Sequence, residues 1–347
     1  MNPARTVDIV NRMGIAASAS PAMAADGTPL LVLVAKASFE LPASGCVARL
    51  AQEQLPIQEV DEFESEPGLS PPRLEADTAP YKPRCDIVLT GSAYAQGRTA
   101  ARGVEVGLQV GSLRKVLEVW GARQWQRTVM GLGAWTLSDA QPFERLALSY
   151  ALAYGGSHIN ADKPGNPDGR QVWHANPVGV GFYTRHLQLP ADQPAAHTQW
   201  PGQHPADPWT PQPSLSFGPV GRNWQPRLQH AGTFDDGWQQ QRFPLLPEDF
   251  NPQHWQLAPL DQQVEALRPG MPVQLWNLTP DGYRSFELPA LSPQVRFTRG
   301  GRVSARPMRA DTLLLEPDGE RFSLVWRTHW PLLRSQPPLD RLELHHA

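Results

Sequence analysis

VEVGLQVGSLRKVLEVW, residues 104–120, is two apolar arms about a glycine turn. Val104, Val106, Leu108 and Val110 share one face of an extended chain, with Glu105, Gly107 and Gln109 on the other. After Gly111-Ser112, Leu117 and Val119 oppose Val116, Glu118 and Trp120, so the second arm is apolar on both faces. Side chains alternate across a strand, and a two-residue turn containing glycine suits the twist of a hairpin. The stretch therefore predicts an antiparallel pair.

The same signals recur on both sides. Leu30–Leu41 (LLVLVAKASFEL) is an apolar run that becomes alternating, bounded by Gly27-Thr-Pro29 and Pro42-Ala-Ser-Gly45, and reads as a strand partly buried on both faces. Cys85–Tyr94 has the same character. Thr279-Pro-Asp-Gly282 and Pro317-Asp-Gly319 each stand between two apolar pieces, and Pro-Asp-Gly is turn chemistry. Residues 51–83 are acidic and Pro-rich, which predicts a loop or an extended arm rather than a core element. Eight prolines between 190 and 219 argue against regular structure there, while Trp200, Trp209 and Phe217 argue that this long loop packs on something. No βαβ alternation, heptad or fixed repeat is present. The expected fold is mainly β, built of antiparallel hairpins in a sandwich or several packed sheets, with long Pro-rich loops and few short helices. It is read as a single domain, open to division into two β lobes (about 1–140 and 220–335) joined by the loop-rich centre 142–219.

Composition narrows the function classes. The 347 residues include 37 Pro and 28 Gly, but also 12 Trp, 11 Phe and 6 Tyr, which is a loop-rich folded protein rather than a disordered one. The net charge of −3 carries no basic block, so nothing points to nucleic acid or an anionic membrane surface. Of 31 cationic residues only Lys36, Lys82, Lys115 and Lys163 are lysine. Cys46 and Cys85 make neither a disulfide framework nor a metal set. Met13–Ala25 is small and weakly apolar, but its serines and Pro21 make a poor signal-peptide core. A cytoplasmic location is expected.

Pro142–Phe182 concentrates the unusual backbone chemistry. Phe143, Leu146, Tyr150 and Tyr154 fit a helical face, yet large and small residues alternate without exception from Leu146 to Tyr154, which favours a strand. Gly155-Gly156 and Asn176-Pro177-Val-Gly179-Val-Gly181-Phe182 follow, with paired glycines for close backbone approach and a turn of fixed φ at Pro177. Tyr154 and Phe182 are expected to anchor the ends.

Catalytic chemistry finds no constellation here. His158, Asp162, Asp168 and His174 share a loop without HxH or HExxH spacing, and Asn166-Pro-Asp-Gly169 lacks the alternating acids of a calcium loop. No GxSxG surrounds Ser157, and Gly179-Val-Gly181 lacks the rest of a phosphate-binding pattern. Asp235, Asp236 and Asp249 read as turn or cap residues ahead of general acids. The expectation is no enzyme, with no catalytic residue, cofactor or metal. The alternative, a carbohydrate-active or metal-dependent hydrolase, would use the His158–His174 loop. Trp173, Trp200, Trp209, Trp224 and Trp238 are candidates for exposed anchors, although most tryptophans are expected to pack inward.

PFERLALSYALAYGG followed by NPVGVGF resembles the central signature of the bacterial family "domain of unknown function 2169". Further matches run in order along residues 25–335, among them APYKPRCDIVLTGSAYA (79–95), AGTFDDGWQQQRFPLLPEDFN (231–251) and DTLLLEPDGERFSLVWR (311–327). The resemblance implies an adaptor or chaperone of type VI secretion clusters, non-enzymatic, which binds an effector or its PAAR-like domain, with the spike protein as a further partner. A structural component of the secretion apparatus is the other reading. Tyr154, Gly155, Gly156, Asn176, Pro177, Gly179, Gly181 and Phe182, with Trp224 and Trp238, are the candidate structural-signature or partner-binding residues.

Overall fold

The structure, a computed structural model, describes residues 7–127, 133–159, 169–185, 189–190 and 192–346. Two large sheets lie face to face. The first runs in the order Gln263–Val264, Cys85–Leu89, Arg309–Glu316, Arg321–Pro331, Pro29–Glu40 and Ala16–Met23. The second runs Thr198–Gln199, Leu113–Trp120, Gly103–Val110, Pro272–Trp276 and Tyr283–Glu287. Neighbours are antiparallel except Cys85–Leu89 beside Arg309–Glu316. Both sheets take strands from before residue 140 and from after residue 220, so these two stretches interleave.

The inward residues of the two sheets form one core. Leu33, Ile87, Leu89, Leu313 and Phe322 from the first meet Val106, Leu108, Leu117, Leu275 and Phe286 from the second. The rings of Phe286 and Phe322 stand 5.0 Å apart across the interface. The expected 104–120 hairpin is present, with Val110 paired to Leu113 around Gly111-Ser112 and Gly111 at φ 58°. Every residue of Pro29–Glu40 except its two ends is buried. One face turns to the sandwich core, while Leu30, Val32 and Val34 meet Val325 and are covered by Ala22, Ala24 and Ile57. The acidic arm that contains Ile57 thus lies over the outside of the first sheet. A smaller sheet, Asp8–Asn11, Leu339–His346, Pro293–Arg299 and Arg302–Pro307, closes one end. It adds Val295, Leu339, Leu342 and Leu344 to the same core.

The long 183–231 connection has little regular structure, and it does pack. Phe217 is fully buried, and its carbonyl accepts from Leu89 N at 3.0 Å. The 142–154 run corrects the expected continuous strand. Arg145–Ala147 is extended and pairs with Ser92–Tyr94, and strand pairing resumes only at Tyr154. Between them the chain turns: Leu152 N donates to Ser149 O (3.1 Å), Ala153 N to Tyr150 O (3.2 Å), and Ala151 N to Ser149 Oγ (3.0 Å). Serine offers its hydroxyl to nearby backbone and so competes with a ladder. Leu148 and Tyr150 are buried on either side of Ser149, but against different neighbours.

Candidate functional site

The glycine-rich signature folds into a knot around Asn176. Tyr154–Gly155 pairs in parallel with Val180–Gly181. Asn176, fully buried, directs its side-chain amide at the carbonyls of Tyr150 (2.7 Å), Tyr154 (3.2 Å) and Ala153 (3.4 Å). Its own carbonyl accepts from Gly156 N at 2.8 Å. The turn that interrupts the 142–154 run is therefore locked from inside by a side chain 26 residues away in the sequence. Gly155 and Gly179 are where the two strands nearly touch. A Cβ on Gly155, at φ 155°, would collide with the Asn176 carbonyl, and one on Gly179 would meet Ala153 O at 2.5 Å and the Asn176 amide. Close approach, rather than turn geometry alone, requires glycine at these two positions.

Rings cap the knot. Tyr154 stacks edge-on with Trp173 (5.3 Å) and Phe182 (6.4 Å), so the two expected anchors touch one another. Burial pushes the Tyr154 phenol up to about 12. Trp173 Nε1 donates to Ser214 Oγ at 3.0 Å, and Ser214 donates to Tyr154 O at 2.7 Å. Pro177 is half-buried. Trp224 is buried, edge-on to Tyr150 at 5.5 Å, in a cluster with Ala153 and Val220.

None of the twelve tryptophans is fully exposed; Trp125, Trp224, Trp326 and Trp330 are buried and the others half-buried. His158 bridges Gln171 (3.2 Å) and Thr184 (3.1 Å) through Nε2, and burial draws its pKa below the usual histidine value. His174 is exposed. Asp162 and Asp168 lie outside the described residues. Among the described residues no group of three or more His, Cys, Asp or Glu is placed to hold a metal ion, and no helix is long and apolar enough to cross a membrane. Cys46 is exposed, while burial raises the Cys85 thiol.

A different surface stands out at Thr233–Asp249. Asp249 clamps the base of this loop, accepting from Thr233 N (2.9 Å) and Thr233 Oγ1 (2.7 Å), and those bonds hold its carboxyl below its ordinary pKa. Asp235 caps the short helix Asp236–Gln241 by accepting from Trp238 N at 2.8 Å. Both acids thus serve turn and cap. Trp238 Nε1 is fixed on Leu245 O (2.8 Å), and Arg242 reaches Leu246 O (2.6 Å) and Ala25 O (3.1 Å), which ties the loop to the first sheet. On this frame Phe234 and Phe243 pack edge-on against Trp238 at 4.8 and 5.6 Å, while remaining 55% and 66% exposed. Residues 231–251 carry four acidic side chains, Asp235, Asp236, Glu248 and Asp249, against Arg242 alone. Trp238 is legible in the sequence as a candidate anchor, and the F-x3-W-x4-F spacing of Phe234, Trp238 and Phe243 across a Pro-bounded loop is the signal that marks the two phenylalanines beside it.

Buried ion pairs carry no local sequence signal. The three described lysines, Lys36, Lys82 and Lys115, are all buried. Lys82 Nζ bonds Asp86 Oδ2 (2.7 Å) and Thr312 Oγ1 (2.9 Å); Lys115 Nζ bonds Ser216 O (2.8 Å), Gln262 Oε1 (2.8 Å) and Asp261 Oδ1 (3.1 Å).

One family model, described as "Uncharacterized protein conserved in bacteria (DUF2169)", matches residues 26–327. A search of curated proteins and a search of solved structures each found no match. The strands Asp8–Asn11 and Leu339–His346 lie outside the matched range.

Proposed function

The chain belongs to the DUF2169 family, and on that premise we propose that it works without catalysis, as a type VI secretion adaptor that binds an effector or its PAAR-like domain in the cytoplasm and helps to load it onto the spike. The type VI context is carried by the family resemblance drawn from the sequence. The single structural observation that supports partner binding is the aromatic knob of Phe234, Trp238 and Phe243. Two phenylalanines held more than half exposed on a clamped loop cost solubility and add nothing to the core. Their rings are preorganised, so little conformational entropy is lost on docking. Fully burying such a side chain against a partner contributes about 1.5–3 kcal/mol, the scale of an interface hot spot. The surrounding acids favour a partner whose apolar pocket has a cationic rim.

The test is capture of the cognate effector or PAAR-like protein by the purified chain. Phe234→Ala with Phe243→Ala removes two exposed rings, so the melting temperature should stay within a few degrees of wild type while capture and secretion fall together. Undiminished capture by this variant overturns the knob. Recovery of no effector, PAAR-like or spike protein, with secretion unaffected by deletion, overturns the adaptor reading.

A further inference from the structure

Beyond the knob, an open groove of about 480 Å³ lies where Leu113–Trp120 meets the hairpin Gln124–Arg127/Trp135–Leu137. That volume is in the range of ligand-sized clefts, roughly 300–1,000 Å³. Trp120, Arg123, Trp125, Trp135 and His204 line it, with Arg102 at the rim.

Arg123 is the unusual member. It is 7% exposed, yet its hydrogen bonds go only to neutral acceptors: Nη2 donates to Ala196 O and to Gln199 Oε1, both at 3.1 Å, and its buried Nε has no partner. Burial pulls its pKa down to about 10, with the field of Glu118 opposing. Glu118 itself is engaged elsewhere, accepting from Gln199 Nε2 (2.8 Å), Gly202 N (3.1 Å) and Trp120 Nε1 (3.3 Å). A buried cation without a carboxylate in contact is costly, and the cost falls when a counter-ion arrives.

The remaining polar equipment is also donor-rich. Gln199 Nε2 lies 2.9 Å from His204 Nδ1 and donates to it. The indole N–H of Trp135 has no partner, nor has that of Trp209, whose ring stands edge-on to Trp135 at 5.8 Å. The lining holds Arg102 and Arg123 against Asp139, and Asp139 is paired with Arg102 at 2.9 Å. The Arg127 guanidinium stands over the Trp135 ring at 4.9 Å. The lining itself thus carries two guanidiniums against one carboxylate, and the nearby Glu118 is held by Gln199, Gly202 and Trp120.

We propose that this groove is a docking site for an acidic segment of a partner protein: its carboxylate supplies the counter-charge that Arg123 lacks, and an adjacent apolar side chain lies on the Trp120 and Trp135 rings. The charge is opposite to that of the knob, so the two surfaces select different partners, as a bridging protein requires.

The experiment titrates the full chain with two blocked peptides, acetyl-GFDDFG-amide and its uncharged twin acetyl-GFNNFG-amide, and follows assigned indole ¹H–¹⁵N signals and heat. The acidic peptide should bind at least about tenfold tighter, weaken with salt, and move the Trp120 and Trp135 signals. Arg102→Glu, at the exposed rim, and Trp120→Ala should each weaken it without lowering the melting temperature by more than a few degrees. Equal binding of the two peptides, shifts confined to other tryptophans, or wild-type affinity in both variants would overturn the site. Self-association of wild type that Trp120→Ala and Phe234→Ala/Phe243→Ala each abolish would also overturn it, because the acidic segment would then be the knob of a second copy.

Discussion

The amide of Asn176 lies 2.7 Å from the carbonyl of Tyr150, and it reaches the carbonyls of Ala153 and Tyr154 as well. One side chain thereby satisfies the end of a turn and the start of a strand that it does not belong to. Asn176→Ala leaves buried carbonyls without a donor and should cost about 1–3 kcal/mol in urea denaturation. Asn176→Asp should be worse, since a buried carboxylate would then face those oxygens. Equal stability of wild type and Asn176→Asp would refute the knot.

Gly155→Val and Gly179→Val should each reduce soluble folded protein sharply. Both side chains would begin inside contacts with Asn176, and in the first case at a backbone angle that valine rarely adopts. An unchanged melting temperature in either variant would count against the architectural role.

Glu75 and Arg227 form a buried bidentate pair, 2.5 and 2.7 Å, under the Pro-rich arm. Burial of Glu75 raises its pKa, but Arg227, with Arg222 and Lys82, outweighs it, and the net shift is below the ordinary 4.5. A lowered folded-state pKa means that the unfolded chain binds the proton first. The pair's stabilisation is therefore complete well above pH 4.5 and is lost as pH falls through the lower folded value. Glu75→Gln should cost about 3–5 kcal/mol at pH 7, because Arg227 stays buried and unpaired. The gap between variant and wild type should narrow in urea melts taken below pH 4; a gap independent of pH would contradict this.

Lys82→Arg, conservative by charge, should destabilise by about 1–3 kcal/mol, since a planar guanidinium does not fit the pocket where a compact ammonium meets Asp86 and Thr312. Thermal denaturation decides, and a variant as stable as wild type would remove the argument for a lysine-specific site.

Trp238→Phe should release the Leu245 carbonyl from its indole donor and loosen the stack of Phe234 and Phe243. Proteolysis within 233–249 should then accelerate with little change in global stability, because the loop stands outside the main core. Unaltered proteolysis would mean that the indole bond does not rigidify the knob.

Local chemistry determined much of this protein. Alternation through Val104–Val110 and a glycine turn specify a hairpin because both act within a few residues, and the Pro-Asp-Gly turns do the same at 279–282 and 317–319. Gly155, Gly179 and Asn176 were legible as special backbone positions for the same reason. What they were special for was not, since Gly155 meets Asn176, and Gly179 meets Ala153 and Gly155 as well as the nearby Asn176 amide, only once the chain has folded back on itself. Tertiary structure alone placed Cys85–Leu89 beside Arg309–Glu316 and buried Lys36, Lys82 and Lys115. It also broke the Leu146–Tyr154 alternation with a turn, sent Trp224 inward and left Phe234 and Phe243 outside. Periodicity states that a residue has an apolar face; it carries no record of which distant segment will cover that face, or whether any segment of the same chain will.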